Sequence, residues 1–113
     1  MLNRNPFLFA CVEPPSQPLL LKQNEVTRSS FTISWQKPTS DGQESINSYE
    51  VHYRELPNGN FSFTLRSATV SKITTDKKLT RYEVKVRAVN DAGKSEFSNT
   101  IQVMTNDCKC LAF

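Results

Sequence analysis

Only three glycines, three cysteines and one histidine occur among the 113 residues, and each scarcity closes off a class of function. A phosphate-cradling loop needs closely spaced glycines whose backbone can approach the anion. Here Gly42, Gly59 and Gly93 stand far apart, each within turn chemistry. A metal site needs clustered Cys and His at ligand spacing. His52 is alone, and Cys11, Cys108 and Cys110 all lie outside the patterned part of the chain. No metal, no cofactor and no disulfide within the core are therefore expected. Catalysis requires convergent acids, bases or nucleophiles, and no triad or usefully spaced carboxylate pair is present. The expectation is no enzyme and no small-molecule substrate. The formal charge of +3 is mild, and Lys77-Lys78 reads as a solvated turn, so no nucleic acid is implied. No apolar run approaches the ~20 residues of a membrane helix, which excludes membrane insertion by a helix of this segment. The apolar stretch 6–12 behind Arg4 is short and lacks a small-residue cleavage site, so it does not read as a signal peptide.

What the chain does have is alternation. From Tyr82 to Ala88 the apolar Tyr82, Val84, Val86 and Ala88 interleave with Glu83, Lys85 and Arg87. A period of two is a half-buried strand, one set on each sheet face. It stops at Asn90-Asp91-Ala92-Gly93, residues suited to turns. Phe31, Ile33 and Trp35 alternate in the same way, as do Tyr49, Val51 and Tyr53 against Glu50, His52 and Arg54, and Phe61, Phe63 and Leu65 after the turn signal Pro57-Asn58-Gly59. Weaker strand patterns cover 19–23, 69–74 (centred on Val70 and Ile73) and 96–105, and Val26 reads as a core plug. With no helical period anywhere, seven short strands predict an all-β, antiparallel immunoglobulin-like β-sandwich. Its core is expected around Trp35, Tyr49, Val51, Tyr82, Val84 and Val86. The predicted organisation is a flexible N-terminal segment over 1–13, one domain over 14–105 entered through the stiff run Pro14-Pro15-Ser16-Gln17-Pro18, and a flexible tail over 106–113.

These residues resemble a fibronectin type III domain. The resemblance is carried by Pro18, Trp35 and Pro38, by Asp41-Gly42 followed by Ile46, Tyr49, Val51 and Tyr53, by Thr80, Tyr82, Val84, Val86, Ala88 and Asn90, and by Gly93 and Ser98. It implies two sheets, of three and four strands, with Trp35 filling the core. It also implies a tyrosine corner, in which the Tyr82 hydroxyl bonds backbone just upstream, near residues 76–78. The sequence departs from the family where Asp76 and Lys78 replace an apolar residue and a proline, and Leu79 or Ile73 is expected to supply the missing plug.

Pairing Val51 with Val86 sets Glu50 beside Arg87, His52 beside Lys85 and Arg54 beside Glu83 on the outer face. The expectation is a ladder of exposed cross-strand pairs, with a binding face for an acidic partner as the less favoured reading. Lys94-Ser95-Glu96-Phe97-Ser98 resembles the Trp-Ser-x-Trp-Ser box of cytokine receptors with both Trp positions replaced, which sets Lys85 and Arg87 near Phe97. Asn60-Phe61-Ser62 is a glycosylation sequon, making Asn60 a possible glycosylation site. The function expected is a non-catalytic interaction or spacer module of a modular cell-surface adhesion protein or receptor. Its partners are other proteins or neighbouring modules of the same parent, and an extracellular or cell-surface location is favoured. Two alternatives stay open: a module of an intracellular sarcomeric or cytoskeletal array, and a cytokine-receptor-like ligand-binding domain.

Overall fold

Residues 11–107 are described by the computed structural model. Of the predicted terminal segments 1–13 and 106–113, residues 1–10 and 108–113, with Cys108 and Cys110, lie outside the described residues. Eight strands follow in order: β1 (Leu19–Val26), β2 (Ser30–Gln36), β3 (Ser48–Glu55), β4 (Ser62–Arg66), β5 (Val70–Thr74), β6 (Arg81–Asn90), β7 (Gly93–Lys94) and β8 (Ile101–Met104). They form two antiparallel sheets, one ordered β1-β2-β5 and one β4-β3-β6-β7 with β8 also on β6. The second sheet thus has five strands where four were expected, because Gly93–Lys94, in the expected turn, pairs as β7, while the last strand, expected over 96–105, is regular only over Ile101–Met104.

The gap between β7 and β8 has a local cause. Ser95 and Ser98 each clamp β6 twice: Ser95 N donates to the Ala88 carbonyl while its Oγ accepts from Ala88 N, and Ser98 does the same at Val86. Side chains here replace ladder bonds, so the chain follows β6 without forming a strand. Asn99 then fastens this margin to the other sheet, accepting from Leu21 N and donating to Leu21 O.

The inward faces of the alternating strands meet in one core. Phe31, Ile33, Trp35, Tyr49, Val51, Ile73, Tyr82, Val84, Val86, Ala88 and Val103 are all buried. Trp35 packs edge-on to Tyr49 at 5.5 Å, and Phe31 meets Tyr82 at 5.5 Å, a separation favoured for aromatic pairs. Val26 packs at the core margin. Val70 does not join it: parity in β5 turns Ser71 and Ile73 inward and leaves Val70 exposed. Of the two candidate plugs near the corner, Ile73 is buried and Leu79 is exposed.

The corner before β6 differs from the resemblance. Tyr82 buries its ring, but its hydroxyl makes no hydrogen bond among the described residues. Thr105, fully buried, does the clipping: its Oγ1 donates to the Lys77 carbonyl at 2.7 Å and accepts from Thr80 N at 3.0 Å, and its own N–H donates to the Thr80 carbonyl. Asp76 and Leu79 both hold left-handed backbone, φ 58° and 52°, on either side of Lys78, in the stretch where the sequence departs from the family.

Residues just outside 14–105 are tied to the sandwich. Glu13 N donates to the Gly42 carbonyl, and Asn106 bonds Thr27 and Val26 through backbone and side chain. At Gly42, φ is +74° and a Cβ would fall 1.9 Å from the Glu13 carbonyl oxygen, so only glycine fits this crossing.

Candidate interaction face

The outer face of the five-stranded sheet gathers the chain's charged and aromatic side chains. The register pairs Val51 with Val86, and hence Glu50 with Arg87, His52 with Lys85 and Arg54 with Glu83. On the other side of β3 it pairs Glu50 with Leu65 and His52 with Phe63. Alternation then places Phe63 and Leu65 on the same outer face as Glu50, His52 and Arg54.

The resulting array is not the solvated ladder expected from pairing alone. Glu50 is buried, and its carboxylate accepts from Arg87 Nε at 2.9 Å, His52 Nε2 at 2.8 Å and Lys94 Nζ at 3.0 Å. Burial pushes this carboxyl up, but the bonds from His52, Lys94 and Arg87 outweigh it and bring its pKa down to about 2. An unpaired buried carboxylate would be costly; three donors are what make this one tenable. Arg54 Nε bonds Glu83 at 2.7 Å in a half-exposed pair.

The remaining cations stack on rings. Lys85 Nζ sits 4.5 Å from the centre of Phe61 and 4.1 Å from Phe97, with Arg54 over Phe61 at 5.0 Å and Arg87 over Phe97 at 4.7 Å. Arg54, Phe61, Lys85, Phe97 and Arg87 thus interleave into one row. His52 stacks on Phe63 at 4.9 Å and meets Phe97 edge-on at 4.9 Å. Cation–π contacts of this kind stabilise by roughly 0.5–2 kcal/mol each. The box-like run therefore keeps its architecture: the two serines hold β6, Phe97 fills between Lys85 and Arg87, and Lys94 reaches Glu50.

Phe61, Phe63 and Leu65 remain exposed, at 39%, 53% and 57%. Their alternation was visible in the sequence, but alternation alone does not say which face of which sheet they take. Asn60, also exposed, lies between β3 and β4 at the end of this apolar row. Among the described residues no cluster of His, Cys, Asp or Glu is placed to hold a metal ion. The face therefore presents exposed apolar side chains, while its cations are largely held by Glu50, Glu83 and the rings.

The fibronectin type III domain family matches residues 14–104. Mouse sidekick-2 is 39% identical over 99 residues, covering 82% of this chain and 4% of that protein. Human ephrin type-A receptor 8 is 31% identical over 93 residues, covering 80% of this chain and 9% of the receptor. Among solved structures, domains A168–A170 of titin superpose with a TM-score of 0.77 at 25% identity, covering 83% of this chain and 33% of that one. The chain thus spans a small fraction of the curated relatives it matches.

Proposed function

Because this chain belongs to the fibronectin type III family, we propose that it serves as a non-catalytic protein interaction module of a modular cell-surface adhesion protein or receptor. The observation that carries the reading is the outer face itself: exposed Phe63 and Leu65 on β4 and Phe61 just before it, beside a row of cations held rigid on rings. A preorganised face of this kind loses little side-chain entropy on contact. The likeness to a receptor and the exposed sequon at Asn60 support a cell-surface setting, with an N-linked glycan on Asn60. Neighbouring modules of the same parent are the other partners. Residues 14–105 act as one unit in it, and the segments before and after serve as connections.

The test is secretion. The chain placed behind a secretory signal in animal cells should carry a glycan that an endoglycosidase removes, and Ser62→Ala should abolish it. A secreted chain with unmodified Asn60 removes that support. The likeness to titin domains then favours the second reading, a module of an intracellular array.

A further inference from the structure

We propose that two copies of this chain pair edge to edge through β4, antiparallel and centred on Phe63, joining their five-stranded sheets into one. Sheet edges in natural proteins are guarded by bulges, charge, shortness or cover, because an unguarded edge pairs with another strand. The four edges here differ in this respect. β1 is broken by two register shifts and carries exposed Lys22 and Glu25. β5 has exposed Lys72 at its centre. The opposite margin of the large sheet is cut into β7 and β8, and Asn99 ties it to Leu21.

β4 is as short as β5, and Arg66 at its end covers the Leu65 carbonyl, but its middle carries neither a charge nor a bulge. It runs in unbroken register along β3 and contains no proline, glycine or lysine. Its outer side shows Phe63 and Leu65, with Phe61 just before it. His52 stacked under Phe63 at 4.9 Å holds the central ring in place.

The residue order commits this edge to itself. A two-fold axis at Phe63 sets Phe63 against Phe63 of the second copy, Phe61 against its Leu65, and Ser62 against its Thr64. No like charges meet. Arg66, the charged residue at the strand end, comes opposite Asn60 of the second copy, and its guanidinium is already donated to Ser71, Thr64 and the Leu65 carbonyl. Cross-strand aromatic and apolar pairs of this kind are the favourable unit of sheet pairing. A contact of one short strand is smaller than the ~1,600 Å² of a standard interface, so the pairing is weak and gains from many copies held together. This inference rests on the reading of the chain as an interaction module. If self-pairing fails, that reading keeps its own test by secretion.

The experiment is sedimentation equilibrium on the unglycosylated chain, since a sugar on Asn60 would crowd the end of the same edge. Concentrations from about 10 μM to 1 mM bracket the expected Kd of about 0.1–1 mM. Slowed amide hydrogen exchange along β4 should accompany the dimer. Phe63→Lys sets two ammonium groups face to face and should raise Kd more than about tenfold. Leu65→Lys, at a more exposed position, should act in the same direction should Phe63→Lys unfold the chain. Met104→Lys, on β8, should leave Kd unchanged. A chain that stays monomeric at the highest concentration overturns the proposal, as does a dimer that neither β4 variant weakens.

Discussion

Lowering the pH should unlock the outer face through Glu50 before it disturbs the core. The folded pKa of this carboxyl lies near 2, against 4.5 for a free glutamate. A group whose folded pKa is depressed contributes stability that is present above its unfolded pKa and is lost as pH falls toward the folded one. The window is therefore pH 4.5 down to 2. A gap of about 2.5 units converts to about 3 kcal/mol at 1.36 kcal/mol per unit, and the carboxylate is buried enough for little of that to be screened away. Protonation removes the negative charge that Arg87, Lys94 and His52 converge on. Glu50→Gln mimics the protonated acid, so it should cost about the same 3 kcal/mol at pH 7. Urea melts of parent and variant between pH 7 and 2.5 separate Glu50 from every other acid: the two curves should converge as pH falls. Parallel acid limbs, or a Gln variant as stable as the parent at neutral pH, would refute the buried-carboxylate argument.

Thr105→Val keeps the shape and removes both side-chain bonds at the corner, so urea melts should show a loss of about 1–3 kcal/mol, while Tyr82→Phe should change stability by less than about 0.5 kcal/mol. The reverse order of these two would return the clip to Tyr82. Trp35→Ala empties the centre of the core and should cost about 3–5 kcal/mol, enough to unfold a marginal domain on a thermal melt. Phe97→Ala removes the ring between Lys85 and Arg87 and should cost about 1–3 kcal/mol, with loss of the ring-shifted proton resonances of the Lys85 side chain as the direct readout.

The parts of this fold that were legible are those in which a residue's fate depends on its sequence neighbours. Parity alone buries Tyr82, Val84, Val86 and Ala88, and one apolar pairing, Val51 with Val86, fixes the partner of every outer residue on β3. Where the outcome hung on distant side chains, reading stopped short. Nothing near Glu50 in sequence marks it for burial, because its donors include Arg87 and Lys94 on strands that arrive later in the chain. At the corner a hydroxyl from elsewhere in the chain takes the role. The resemblance favours Tyr82, yet the Lys77 carbonyl accepts from Thr105, between left-handed backbone at Asp76 and Leu79.

The same distinction explains why the fold was easier to read than its use. Phe61, Phe63 and Leu65 carry a strand pattern that would serve equally well facing the core or facing solvent. Only the pairing of Phe63 with His52 puts them outside, on an edge, next to cations already committed to rings and to Glu50. Those commitments decide what the face can offer. Lys85, Arg87 and Arg54 are held by neighbours and have less charge free for an acidic partner than a count of residues suggests, so the apolar edge is the stronger recognition element. A partner for this module should therefore be sensitive to substitutions on β4 and nearly indifferent to salt, since screening acts on exposed charge and not on buried apolar area.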